Sequence, residues 1–163
     1  MTESGHQVEV SSSTEAVDEE PDESRVADWL TNALTNLDSA PAEVSVRIVA
    51  ADEMAALNAQ YRGRTGPTNV LSFPSGLKAG DRVFLGDIVV CNEVVAEEAS
   101  RYGQSCTGRF AHMMIHGLLH LLGHDHHEDG EREEMETMEK KLLAGFGISD
   151  PYKVYLQDAT PDE

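Results

Sequence analysis

"FAHMMIHGLLHLLGHDHH", residues 110–127, decides how this chain folds and what it can do. His112, His116 and His120 recur at steps of four. Each step overshoots a full helical turn by about 40°, so the three imidazoles share one stripe of a helix. Large apolar side chains fill most positions between them, which predicts a buried central helix from about Thr107 to Leu122. Gly123 can leave that helix in a left-handed conformation and turn the chain back. The return carries His124, His126 and His127.

His116 and His120 form an HxxxH pair, which lets two imidazoles reach one ion from a rigid helical face. A catalytic zinc site wants three protein ligands and an open position. His126, ten residues after His116, completes an HxxxHxxGxxH spacing otherwise found in a class of zinc peptidases. His124 and His127 are alternative third ligands or solvated side chains. Asp125 could orient an imidazole or be an ordinary loop carboxylate. His112 reads as a core histidine, as support for the ligand pair, or as a substrate contact. Those peptidases carry Glu directly after the first histidine as general base. Here that position is Gly117, so the metal chemistry survives while the peptide-hydrolysis mechanism loses its proton acceptor.

The surrounding chain predicts an α+β fold, a small mixed sheet of about four strands packed with about five helices. The metal site would sit at the end of the buried central helix. "DESRVADWLTNALTNL" places Val26, Trp29, Leu30, Ala33, Leu34 and Leu37 on one helical face, with Asp22 or Ser24 as cap. "EVSVRIVA" alternates as a half-buried strand. "DEMAALNAQYR" reads as a helix capped by Asp52, with Met54, Ala55, Leu57 and Tyr61 at helical spacing. A short strand from Val70 to Phe73 should stop at Pro74, and "VFLGDIVVC" reads as a central strand. "NEVVAEEASRYG" is a helix ended by Gly103, and a last helix over about 129–144 turns Met135, Met138, Leu142 and Leu143 inward. The order is αβαββααα.

Of 163 residues, 40% are hydrophobic, which suits one domain with a real core. The net charge of −18 is uneven. It concentrates in residues 1–23, which hold no lysine or arginine, and in "EDGEREEMETMEKK" after the histidines. Both runs read as solvated surface. Residues 1–22 are therefore expected as a disordered acidic tail, 23–148 as a single catalytic metal-binding domain, and 149–163 as a C-terminal tail. No apolar run approaches the roughly 18 residues that would span a bilayer, and the N-terminus lacks the pattern of a secretory signal. These features predict a cytoplasmic protein with no membrane partner. The two cysteines, Cys91 and Cys106, are expected as free thiols, Cys106 near a helix start.

Four blocks in order now carry a resemblance: "LNAQYRGRTGPTNVLSFP" at 57–74, "LGDIVVC" at 85–91, "HMMIH" at 112–116 and "HGLLHLLGHDH" at 116–126. The last resembles the H-G-x-L-H-L-x-G-(Y/H)-D-H signature of the YbeY family, bacterial endoribonucleases of ribosomal RNA maturation. The resemblance covers about residues 25–148. It implies one metal ion per chain, usually Zn2+, held by His116, His120 and His126. It implies cleavage of single-stranded RNA, maturation of the 16S rRNA 3′ end and ribosome quality control. The partners it implies are ribosomal RNA and the small ribosomal subunit or its assembly proteins, not DNA. It also implies a functional arginine, which by position is Arg62. His124 stands where the family more often has tyrosine.

Elementary chemistry agrees on the use of an arginine. A phosphodiester gains charge in its transition state, and a guanidinium can meet that charge bidentately. Arg62 lies in a glycine-rich connection, where a surface arginine or a structural ion pair is the alternative. Arg64, Lys78, Arg82, Arg101 and Arg109 are further candidates for an RNA path, each also readable as plain surface. Thr68, Asn69 and Ser72 fit service to the turn and strand. Two other functions stay open: a zinc peptidase without its Glu, and a non-catalytic assembly factor with structural zinc. Three imidazoles would also suit nickel, cobalt or copper.

Overall fold

Strand "RVFLGDIVVC" is the axis of the structure, a computed structural model that describes residues 5–13, 21–124, 128–148 and 150–151. In chain order the elements are β1 (Gln7–Ser12), α1 (Glu23–Asn36), β2 (Ala42–Val49), α2 (Ala51–Arg62), β3 (Val70–Ala79), β4 (Arg82–Cys91), α3 (Asn92–Tyr102), α4 (Cys106–Leu121) and α5 (Asp129–Gly145). The sheet order is β1-β2-β4-β3. β1 and β2 run parallel to β4, and β3 pairs with it antiparallel, so the sheet is mixed as expected.

β4 is buried on both faces, which explains its nearly continuous apolar run. Ile88 and Val90 join Val44, Val46, Ile48 and Val70 under helices α1, α4 and α5. Val89 and Cys91 face the other way and pack with Leu71, Phe73 and Val49 against Met54 and Leu57 of α2. Gly86, the break in that run, has φ +143°, and a Cβ there would lie 2.2 Å from the Phe73 carbonyl oxygen. Only glycine admits β3 so close.

Two strands differ from the sequence expectation. Residues 7–12, expected within a disordered tail, form the edge strand β1, with Val8 and Val10 packed on the core beneath α1. Of the rest of the expected tail, 1–4 and 14–20 lie outside the described residues, while Gly5, His6, Ser13, Pro21 and Asp22 lie within them. Acidic composition concealed a short alternating segment whose apolar side chains find a ready-made parallel neighbour in β2. Arg82 fastens its start, donating to the Gly5 carbonyl at 2.8 Å and to Gln7 Oε1 at 3.3 Å. The second difference is Pro74. β3 continues through it to Ala79 and returns as β4 in a hairpin. Proline is tolerated because β3 is an edge strand, and the register shifts between Pro74 and Leu77.

The helices follow the sequence more closely. α1 buries Val26, Trp29, Leu30, Ala33 and Leu34, and Trp29 packs on Phe110 of α4. Asp22 is its N-cap residue, without a side-chain capping bond. α2 begins one residue before the expected cap: Ala50 caps it, and Asp52 accepts from the Glu53 amide. Its inward face is Met54 and Asn58, whereas Tyr61 is 58% exposed. Gly103 ends α3 at φ +71° as expected. α5 buries Met135, Leu142 and Leu143, and with them Glu139. Among the described residues, no helix is long and apolar enough to cross a membrane. The residues of the expected C-terminal tail lie almost wholly outside the described structure.

Candidate metal centre

Ser105 opens α4, its side-chain oxygen accepting from the Gly108 amide at 3.0 Å. Helix and sheet then sandwich the histidine stripe's own backbone. Gly117 lies against β3 and β4: a Cβ there would meet Ile88 Cγ2 at 3.1 Å and Ser72 Oγ at 3.2 Å. The Ser72 hydroxyl donates to the Gly117 carbonyl at 3.0 Å, tying the strand to the helix beside His116. The position that carries Glu in the peptidases therefore points into the sheet, and no carboxylate fits there.

The stripe itself faces α5 and climbs from core to surface. His112 is 2% exposed, while His116 and His120 are half-buried. His116 Nε2 and His120 Nε2 lie 3.2 Å apart with their rings at 77°. Two zinc–imidazole bonds at a tetrahedral angle would set the nitrogens about 3.3 Å apart. The pair thus fits a shared ion. The helix ends as Gly123 requires. At φ +99° its amide donates to the His120 carbonyl at 3.0 Å, and the His124 amide donates to Leu119 at 2.9 Å. That is a Schellman closure at the end of α4. His126, expected as third ligand, lies outside the described residues, as do Asp125 and His127. Among the described residues no group of three or more His, Cys, Asp or Glu side chains is arranged to hold a metal ion.

Sequence reading passed over Glu139. It is 0% exposed, with Oε1 3.0 Å from His112 Nε2 and Oε2 2.7 Å from His116 Nδ1. Burial alone would push its carboxyl up, but the bonds and charges of His112 and His116 outweigh that and hold it below the usual carboxylate range. Burial pushes the His112 imidazole down, partly resisted by Glu139. Within the acidic run, Glu139 sits four residues after Met135 and three before Leu142, on the inward face. That periodicity was the available signal.

Arg62 ends α2, exposed, just before the left-handed Gly63. Its neighbour Tyr61 packs edge-on against Phe73, at 5.1 Å between ring centroids. Phe73 faces α2 and Ser72 faces α4, so α2, which Arg62 ends, packs on the opposite face of the sheet from α4. Arg64, just after α2, and Lys78, on edge strand β3, are both exposed. Arg109 is no surface residue: it is 4% exposed, pairs with Glu98 at 2.9 Å and lies over the Tyr102 ring. Arg82 serves the β1 edge, and Arg101 stacks on Tyr102. Asn69 serves structure as expected, bonding the Val70 amide and Glu98.

A mixed four-stranded sheet carrying a buried helix with two converging imidazoles defines an α+β protein with a histidine centre on its central helix. The family model described as Endoribonuclease YbeY matches residues 7–147, and the chain belongs to the YbeY family. A relative called Endoribonuclease YbeY from Chromohalobacter salexigens is 54% identical over 111 residues, 68% of this chain and 72% of that one. Another of that name, from Halorhodospira halophila, is 47% identical over 137 residues, 82% of this chain and 88% of that one. The solution structure of TM1509 from Thermotoga maritima superposes with a TM-score of 0.59 at 26% identity, covering 96% of each chain.

Proposed function

We propose that this protein is a metal-dependent endoribonuclease acting on single-stranded RNA, in 16S rRNA 3′-end maturation and ribosome quality control. The observation that carries the reading is the convergence of His116 and His120 on a helix whose next residue, Gly117, cannot bear a peptidase base. Membership of a family described as endoribonucleases supports the substrate class. His116 and His120 would hold one Zn2+ per chain together with His126. Bound zinc supplies Lewis acidity toward a phosphoryl oxygen or an attacking water. The protein's part would be to fix that ion on a rigid helix and to meet phosphate charge with the exposed Arg62 at the end of α2. Ribosomal RNA and the small subunit or its assembly proteins are the proposed partners, in the bacterial cytoplasm.

The test is cleavage of end-labelled 3′ precursor rRNA by metal-quantified wild type, His120→Ala and Arg62→Glu. Activity should fall at least 100-fold in both variants, the scale on which single electrostatic catalytic contacts act. Equal cleavage by all three would mean a contaminating nuclease and would sink the reading. Product ends separate two routes, since attack by the RNA's own 2′-hydroxyl leaves a 2′,3′-cyclic phosphate and direct attack by water does not.

A further inference from the structure

Glu139 has no packing reason to be a carboxylate. Its inward neighbours on α5 are Met135, Leu142 and Leu143, and a leucine would fill the site without the desolvation cost of a buried charge. Yet both of its oxygens are engaged, one by His112 and one by His116. An ionised carboxylate can only accept hydrogen bonds. Both short contacts are satisfied together when His112 presents Nε2–H and His116 presents Nδ1–H. A neutral His116 protonated at Nδ1 has its lone pair on Nε2, the atom that lies 3.2 Å from His120 Nε2.

We propose that Glu139 is the positioning residue of the histidine centre: it locks His116 in the tautomer and ring orientation that aim the Nε2 lone pair at the site. His112 is the second anchor. By engaging Oε1 it keeps the carboxylate from swinging away from His116, which gives the innermost histidine of the stripe a role without contact to the ion. The inference rests on the proposal that the pair holds a metal.

Glu139→Gln tests it with little change of shape. The amide offers one acceptor and one donor, so it cannot accept from both imidazoles. One of the two must turn its lone pair inward. Three measurements on the full chain separate the outcomes. Long-range 1H–15N NMR of the metal-free wild type should show His116 as the Nδ1–H tautomer, and an Nε2–H signal would overturn the proposal with no mutant needed. Zinc affinity by chelator competition should fall 10- to 100-fold in Glu139→Gln, the usual effect of losing a carboxylate behind a ligand histidine. Circular dichroism should show that variant folded. A folded Glu139→Gln that binds zinc within twofold of wild type would overturn the proposal. If wild type and His120→Ala bind zinc equally, the metal reading itself has failed.

Discussion

Putting back the missing Glu, as Gly117→Glu, should unfold this protein rather than make it a peptidase. The Cβ alone would sit 3.1 Å from Ile88 Cγ2 and 3.2 Å from Ser72 Oγ, both tighter than ordinary contact. For Gly117→Ala, helix propensity gains about 1 kcal/mol, and overpacking a tight interface costs about 1–3 kcal/mol. Displacing the Ser72 hydroxyl from the Gly117 carbonyl adds about 1 kcal/mol of lost hydrogen bond. The alanine variant should therefore lose about 1–3 kcal/mol. Glutamate continues along the same bond into the sheet, where its carboxylate has no partner. An uncompensated buried charge costs several kcal/mol more. The sum, above about 5 kcal/mol, reaches the whole stability of many domains. Urea unfolding followed by circular dichroism would measure both variants, with casein hydrolysis assayed in parallel. A Gly117→Glu protein with a wild-type midpoint would mean that position 117 faces the histidines and not the sheet.

Gly86→Ala places a Cβ 2.2 Å from a backbone oxygen that cannot rotate away, at a φ of +143°. It should cost more than about 4 kcal/mol, read as insoluble expression or a collapsed urea midpoint. Arg109→Met removes one partner of a buried ion pair with Glu98 and the cation over Tyr102. A loss of about 3 kcal/mol is expected, and an unchanged midpoint would mean the pair contributes nothing. Zinc at 100 times its dissociation constant should stabilise the folded chain by about 2.7 kcal/mol, visible as a raised melting temperature that His120→Ala abolishes. Thiol labelling should find Cys106 at the start of α4 reacting first, because Cys91 is buried and burial pushes its thiol up. Equal rates would refute that placement.

What could be read in the sequence followed from how strongly each pattern excludes alternatives. The α4 stripe, its stop at Gly123 and the doubly buried β4 are over-determined locally, and the structure has them where periodicity put them. β1 and the second half of β3 are different. The alternation of Val8 and Val10 is only a weak strand signal inside an acidic stretch, and the parallel pairing from Gln7↔Glu43 to Ser12↔Ile48 makes the segment a strand. Pro74 breaks a central strand but not an edge strand, and position in the sheet is not written in the residues around it. Arg109 looks like any arginine until α3 supplies Glu98 and Tyr102.

Gly117 and Glu139 belong to one arrangement, and together they set which groups surround the histidine pair. Gly117 lets α4 press onto Ile88 and Ser72, which leaves the histidine stripe turned away from the sheet and toward α5. A carboxylate then reaches the imidazoles from α5, at His116 Nδ1, and not from α4 beside the ligating nitrogens. The peptidase arrangement puts a carboxylate where it can take a proton from water. Here the carboxylate is buried, with one oxygen against His112 Nε2 and the other against His116 Nδ1, on the side of the His116 ring away from Nε2. The same spacing of histidines therefore comes here without the peptidase arrangement of base and ligands. That difference comes from which helix carries the acid, which HxxxHxxGxxH alone does not state.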